Sequence, residues 1–271
     1  MRSGAIWAAV LAASVRAAPA FPSLELKDNS ADALQKLSAY FNLIAAKIQD
    51  SRNLASAPSC DLSKARMPAA GLPSPDEGLR VRHVAVGRGT QNYTCDTDHA
   101  ESVPKPAGAV ATLFNASCVA ALYPDVLSRV PGMVVHFQLE EAENLGVTAM
   151  AQSGFHYFVD SSTPFFNLDT PNMAIGQVAC AKDSSADAPA KAALGQLGEK
   201  AVPWLRLTTR PGTTGGIKAV YRVDTAGGSP PATCRGMPAK FQVEYAAVKG
   251  GNGSLTEGWL RYWFWESNSG K

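Results

Sequence analysis

The chain has 271 residues, of which 25 are Lys or Arg and 23 are Asp or Glu. Two of the basic residues, Arg2 and Arg16, lie within the first 20 residues, so the remaining 251 carry no formal net charge. A protein that neutralises phosphates needs a surplus of cations, so this balance argues against a nucleic-acid partner. A chain of this length suits one large domain or two small ones.

The N-terminus has the layout of a secretory signal peptide, assigned to residues 1–20. Arg2 precedes an apolar run over residues 5–15, and Ala18-Pro-Ala20 supplies small residues for a cleavage site. The apolar run is about half the ~20 residues that a transmembrane helix needs. We therefore predict a soluble secreted protein, extracellular or attached to the cell wall, without a membrane span. Residues 267–271 form a polar tail.

Residues 21–56 are predicted to form an N-terminal helical segment. Within it, apolar residues recur at helical spacing over residues 30–51, and Ser30 can cap the helix. We expect this amphipathic helix to pack on the main domain; the alternative is a coiled-coil or partner helix, which usually needs more heptads. Residues 57–78 contain four prolines and two glycines and indicate a linker or a strapped-down loop.

From residue 79 the apolar residues alternate with a period of two, as in β-strands. Residues 79–85 and 91–95, joined through Gly87-Arg-Gly89, predict a β-hairpin. Short helical turns are expected near residues 123–129 and 184–198. Further strands are predicted at residues 109–114, 133–138, 154–160, 174–180, 203–209, 216–224, 240–247 and 257–265.

The last predicted strand has aromatic residues on both of its faces. Trp259, Arg261, Trp263 and Trp265 share one face, and equally apolar residues alternate with them. This pattern predicts a central strand that is covered on both sides, although exposed tryptophans that stack on sugar rings are the alternative. Many short strands with Gly and Pro turns favour an all-β domain over residues 79–266, either a β-sandwich or a closed β-barrel.

Five cysteines follow the predicted signal peptide, and none has the spacing of a zinc site. In an oxidising compartment we expect two disulfides among Cys60, Cys95, Cys118 and Cys234, with the connectivity left open. Cys180 is predicted to be the spare thiol, because it lies in an apolar run that resembles a buried strand.

Three Asn-x-Ser/Thr sequons occur, at Asn92, Asn115 and Asn252. Behind a signal peptide they predict at least one N-linked glycan. Since a glycan cannot enter a packed core, Asn92 and Asn115 are expected to face solvent.

Several of these segments resemble the domain of unknown function 3455 family, found in secreted fungal proteins and in bacteria. The resemblance covers residues 75–266 and includes Gly89-Thr-Gln-Asn-Tyr-Thr-Cys95 and Gly154-Phe-His-Tyr-Phe-Val-Asp160. Its most specific part is Gly227-Gly-Ser-Pro-Pro-Ala-Thr-Cys234. Fungal members of this family are often labelled malate dehydrogenase.

The residues do not support a dehydrogenase. A dinucleotide site needs Gly-x-Gly-x-x-Gly between a strand and a helix. The nearest match, Gly87-Arg-Gly-Thr-Gln-Asn92, has Asn in place of the third glycine and a predicted strand in place of the helix. No cofactor is therefore expected.

Two groups of residues are candidates for chemistry. Asp96, Asp98, His99 and Glu101 could offer ligands to a divalent cation, with a solvated acidic turn as the favoured interpretation. No metal is expected there.

The second group lies on two predicted strands. His156 shares a face with Asp160, and Arg222 shares a face with Asp224. If these faces met in one cleft, His156 could act as a base oriented by Asp160, and Arg222 could bind a carboxylate or sugar oxyanion. A hydrogen-bonded histidine on a half-exposed sheet is the favoured interpretation.

We therefore expect a secreted fungal glycoprotein without enzymatic activity. It would bind a cell-wall polysaccharide or a host extracellular component, with an effector-like role in host interaction. The alternative is a small secreted hydrolase or lyase that uses His156 and Asp160. A binding protein needs an exposed aromatic patch or groove, whereas an enzyme needs a pocket in which His156 meets a second titratable group.

Overall fold

The computed structural model describes residues 60–68, 71–122, 124, 127, 152–171, 173–195, 197–245 and 258–267. The predicted signal peptide, the helix predicted over residues 30–51, the strand predicted at 133–138 and the sequon at Asn252 lie outside these residues. No helix in the described part of the chain is long and apolar enough to cross a membrane.

The described residues form nine β-strands, one α-helix and a short 3-10 helix at Leu62–Lys64. The α-helix, α1, comprises Ser117–Leu122 and follows the second strand. The strands are β1 (Leu79–Thr94), β2 (Lys105–Asn115), β3 (Gln152–Phe158), β4 (Pro164–Thr170), β5 (Met173–Ala186), β6 (Trp204–Thr209), β7 (Ile217–Val223), β8 (Lys240–Tyr245) and β9 (Gly258–Ser267).

Eight of these strands close into an antiparallel barrel. Strands β2 to β7 pair in sequence order, β7 pairs with β9, and β9 pairs with β1. The barrel closes because residues 85–88 of β1 also pair with residues 112–115 of β2. The ninth strand, β8, is an addition that pairs with residues 89–94 of β1. The all-β prediction is thus confirmed, and of its two architectures the chain adopts the closed barrel, which leaves fewer unpaired strand edges.

The hairpin predicted around Gly87 and Gly89 is wrong, because β1 runs through both glycines without a turn. The two positions lack a Cβ for a packing reason. A Cβ on Gly87 would lie 2.7 Å from the ring of Tyr262, and a Cβ on Gly89 would overlap the carbonyl oxygen of Val110. These glycines therefore allow close approach inside the barrel.

The barrel interior is filled by inward side chains from all sides. The ring of Phe166 meets Tyr262 and Phe264 edge-on, with centroids 5.1 and 5.4 Å apart. Burial of each large apolar side chain contributes about 1.5–3 kcal/mol. The interior also includes Ala85, Ala111, Leu113, Leu168, Val178, Cys180, Leu207 and Val220.

The outer side of the barrel is also buried along β1, β9 and β7. Val84, Trp263 and Tyr221 are register partners across these strands and are fully buried. The prediction that β9 is a central strand covered on both sides is borne out at Tyr262 and Trp263, which point to opposite faces and are both buried.

The Pro-rich segment before β1 is strapped onto this outer side. Tyr221 donates a hydrogen bond of 2.9 Å to the carbonyl of Pro73, and Arg206 pairs with Asp76 at 2.7 Å. At the start of the segment, Cys60 is bonded to Cys118 at the beginning of α1. Of the two interpretations of residues 57–78, the described part fits the strapped-down loop.

The four cysteines that the sequence predicted to be bonded form two disulfides, and the structure supplies the connectivity that the sequence left open. Cys60 bonds Cys118 and Cys95 bonds Cys234, while Cys180 is free and buried. Burial raises the pKa of the Cys180 thiol to about 12.

The helical turn predicted near residues 184–198 is wrong in its first part. Strand β5 continues to Ala186, because residues 184–186 pair with residues 204–206 of β6. The described residues that follow form turns rather than a helix. Near residues 123–129, the two described residues, Pro124 and Leu127, are helical as predicted, and helix α1 already begins at Ser117.

Candidate functional site

His156 lies on the inward face of β3, inside the barrel, and is only 3% exposed. Its ring stacks on Phe166, with centroids 4.3 Å apart. The Nδ1 atom lies 3.0 Å from the carbonyl oxygen of Phe165. Since a carbonyl only accepts, Nδ1 carries the proton and donates it. Burial, and to a lesser extent the charge of Arg222, lowers the pKa of His156 to about 4. The histidine is therefore neutral at pH 7.

Asp160 does not meet His156, which corrects the pairing expected from strand parity. It lies beyond the end of β3, where the chain turns towards β4. Its Oδ1 accepts hydrogen bonds from the backbone N–H of Ser162 at 2.7 Å and of Thr163 at 2.8 Å. These bonds, with that of Ser162 first, lower the pKa of Asp160 to about 2. Asp160 therefore holds the β3–β4 turn and cannot orient His156.

Arg222 does reach the interior, on the inward face of β7. Its register partners are Leu205 on β6 and Tyr262 on β9. The Nη2 atom donates to the carbonyl of Pro203 at 2.8 Å, and the buried Nε atom has no hydrogen-bond partner in the part of the chain that the structure describes. The positive charge of Arg222 has a lowering effect on the pKa of His156 and on that of Tyr262. The structure thus brings His156 and Arg222 into one interior region.

Asp224 turns away from Arg222, although parity predicted a shared face. It follows the end of β7 with φ of 49°, a left-handed conformation that reverses the direction of its side chain. Its carboxylate pairs with Arg261 at 2.5 Å on the outer side of β9. Burial raises the pKa of Asp224 and lowers that of Arg261 to about 10. This ion pair lies on the outer side of the barrel, apart from the interior region that contains His156 and Arg222.

The candidate cation ligands after β1 do not converge. Asp96 binds His99 through Oδ2 and Nδ1, 2.9 Å apart, and its Oδ1 accepts from the N–H of Asp98 at 3.1 Å. Glu101 instead pairs with Arg235. Within the described residues, no three His, Cys, Asp or Glu side chains are grouped to hold one metal ion. The segment fits an exposed acidic turn.

Both described sequon asparagines are half-buried rather than fully exposed. The Oδ1 of Asn115 accepts from the N–H of Ser117 at 3.0 Å, and its Nδ2 lies 3.8 Å from the sulfur of Met173. The Oδ1 of Asn92 accepts from the hydroxyl of Thr90 at 3.4 Å. Neither side chain is buried in the core, so both positions are compatible with a glycan. Glycosylation at Asn92 and Asn115 stays a prediction.

A surface that sequence reasoning missed lies on the outside of the barrel. Phe155 and Tyr157 point outward from β3 and are 46% and 37% exposed. Tyr157 contacts Phe165 on β4, with ring centroids 5.3 Å apart. Val110 on β2 and Val159 after β3 extend this surface and are more than half exposed. We call these five residues the aromatic face.

Neutral polar side chains border the aromatic face. Thr112 on β2 and Asn167 on β4 are the register partners of Phe155, and Gln177 on β5 is the partner of Asn167. None of these three residues, and none of the five in the aromatic face, carries a charge. The surface therefore combines exposed rings with amide and hydroxyl groups that can donate and accept hydrogen bonds.

The sequence contains the alternating pattern that forms this surface, but the pattern alone does not decide which face of the strand points outward. In residues 154–160, Phe155, Tyr157 and Val159 alternate with His156 and Phe158, so both faces of the strand are apolar. Which face points into the barrel depends on pairing with distant strands. The exposed tryptophans considered on β9 do not supply such a surface at Trp263, which is fully buried.

Comparisons with known proteins identify one family. The model of a family described as protein of unknown function (DUF3455) matches residues 75–248. No curated protein and no solved structure matches the chain.

Proposed function

We propose that this chain, which belongs to the DUF3455 family of proteins of unknown function, is a secreted, non-enzymatic binding protein. Its ligand is a neutral polysaccharide, which lies along the aromatic face of the barrel. The observation that carries this proposal is the exposure of Phe155 and Tyr157 beside the half-buried ring of Phe165.

The chemistry of the aromatic face favours sugar over other ligands. A pyranose ring presents a face of polarised C–H groups, which packs favourably on the electron-rich face of an aromatic ring. Its hydroxyl groups need hydrogen-bond partners, and Thr112, Asn167 and Gln177 border the rings. A nucleic acid or an acidic polymer would require cations, and the aromatic face and its border have none. A neutral polymer fits this composition.

Secretion is supported by the covalent structure. Two disulfides link distant parts of the chain, and such bonds persist in oxidising compartments. Together with the predicted signal peptide and sequons, they favour an extracellular or wall-associated glycoprotein. Fungal wall polymers and host polysaccharides are then the ligands that the protein encounters.

The alternative function, a small hydrolase or lyase, requires His156 and Asp160 to act together, and their positions do not favour this. His156 is buried against Phe166 and bonded to a backbone carbonyl, while Asp160 holds a turn. A general base needs access to the substrate proton and a pKa near the working pH. The lowered pKa of His156 makes it a poor base at neutral pH.

The proposal is tested by co-sedimentation with insoluble chitin, cellulose, β-glucan and mannan. We expect the secreted protein to bind at least one of them, and Tyr157→Ala to weaken that binding by about tenfold, as the loss of a stacked aromatic contact predicts. Leu197→Ala is the matched control, because Leu197 is 79% exposed and lies in a loop outside the aromatic face.

Two outcomes contradict the proposal. One is binding that Tyr157→Ala and Phe155→Ala leave unchanged while both variants remain folded by circular dichroism. The other is absence of binding to all four polymers together with dimerisation in analytical ultracentrifugation that Tyr157→Ala abolishes. The second result identifies the aromatic face as a contact between copies of the chain.

A further inference from the structure

The barrel interior contains a buried cation that has no carboxylate partner among the residues that the structure describes. Arg222 is 9% exposed, and its one hydrogen bond in the described part of the chain goes to the carbonyl of Pro203. Two other arginines with little exposure are compensated: Arg261 pairs with Asp224, and Arg206 pairs with Asp76 and Asp183. Burying an ion without a counter-charge costs free energy. An anionic partner would therefore stabilise Arg222 in this position.

Unpartnered polar atoms accompany this cation. The Nε of Arg222 and the hydroxyl of Tyr262 are both buried, and neither has a hydrogen-bond partner within the described ranges of the chain. These residues are register partners on β7 and β9, and both side chains point inward. Cross-strand partners have Cβ atoms about 4.5–5.5 Å apart, and the charge of Arg222 lies close enough to act on the pKa of the Tyr262 hydroxyl. One small ligand could therefore contact both groups.

The described side chains that surround Arg222 in the interior are otherwise neutral. Tyr93 donates its hydroxyl proton to the carbonyl of Gly228 at 2.8 Å, and His156 donates to Phe165. Burial raises the pKa of Tyr262 to about 12, so its hydroxyl keeps its proton and can donate. Among the described residues, the arrangement offers hydrogen-bond donors and one positive charge, but no competing carboxylate.

We infer that this interior region is a binding site for a small carboxylate. The guanidinium of Arg222 would hold the two carboxylate oxygens, since a planar fork of N–H groups matches this geometry. The hydroxyl of Tyr262 would donate a further hydrogen bond. The site is distinct from the aromatic face, which lies on the outside of β2, β3 and β4.

The test uses the full secreted protein with sodium acetate and sodium benzoate as probes, and sodium chloride at equal ionic strength as the reference. Binding is measured by isothermal titration calorimetry and by the shift in Tm. We expect carboxylate binding by the natural protein, and a weakening of tenfold or more in Arg222→Gln, because charge-assisted bonds are lost. Arg210→Gln is the control, since Arg210 is exposed and bonded to Thr163.

Tyr262→Phe keeps the test decisive if Arg222→Gln does not fold. The hydroxyl of Tyr262 has no partner, so its removal should leave the fold intact and weaken carboxylate binding about fivefold, as for one hydrogen bond. Tyr157→Ala should retain the carboxylate response, which separates this site from polysaccharide binding. Absence of carboxylate binding, an equal response to chloride, or unchanged affinity in Tyr262→Phe would overturn the assignment.

Discussion

The imidazole of His156 and the ring of Phe166 stack in the barrel interior, with centroids 4.3 Å apart and planes inclined by 14°. This contact holds a titratable group in an apolar environment. His83 is a second such group: its two ring nitrogens lie 3.0 Å from the hydroxyls of Ser117 and Ser153, and burial lowers its pKa to about 3.

Both histidines should make the protein sensitive to mild acid. Their pKa values are about 4 and about 3 in the fold, against about 6.5 for an unperturbed histidine. Below pH 6.5 the unfolded chain therefore binds protons that the folded chain does not, and stability is lost as the pH falls. By pH 5 each histidine should lower the free energy of unfolding by about 2 kcal/mol.

Urea unfolding between pH 7 and pH 5 measures this loss. We expect His156→Gln to reduce the pH slope by about half. An identical slope in His156→Gln would show that His156 titrates normally in the fold.

Gly87→Ala should destabilise the barrel. An added methyl group would lie 2.7 Å from the Tyr262 ring, which is fully buried and cannot move without disturbing Phe166. Overpacking of this kind typically costs about 1–3 kcal/mol. The measurement is the midpoint of chemical unfolding, with Thr94→Ala at the end of the same strand as the control. A stabilised Gly87→Ala variant would mean that the interior has room at this position.

Cys180 should be inert in the folded protein. Its thiol is buried on β5 and its pKa is about 12, and thiolates are the reactive species. We expect no reaction with a thiol reagent under native conditions, one thiol after unfolding, and peptide maps that contain Cys60–Cys118 and Cys95–Cys234. A rapid native reaction, or a bridge that includes Cys180, would contradict the structure.

Asp224→Asn should be strongly destabilising, because it leaves Arg261 buried without its counter-charge. Removing one partner of a buried ion pair typically costs about 3–5 kcal/mol. Asn tolerates the left-handed backbone of this position, so the change isolates the charge. Glu101→Gln breaks the exposed pair with Arg235 and should cost at most about 1 kcal/mol. Equal unfolding free energies for the two variants would contradict the expected difference.

The amino-acid sequence by itself determined the class of the fold and which cysteines form disulfides, but not how they pair. The alternation that begins at Leu79 predicts strands because side chains of a strand point to opposite faces in turn. The apolar run around Cys180 distinguishes a buried thiol from the four cysteines that form disulfides. These features depend on neighbouring residues, so local patterns were sufficient.

Only the tertiary structure decided which face of each strand points inward and which residues meet. Phe155 and His156 are adjacent in a strand that is apolar on both faces, and pairing with β2 and β4 sends one outward and the other into the barrel. Asp160 and Asp224 follow strand parity in the sequence, but the chain turns just before them and breaks the alternation. Contacts such as that of Arg222 with Tyr262 join strands 40 residues apart in the chain, and barrel closure, which no local pattern encodes, brings them together.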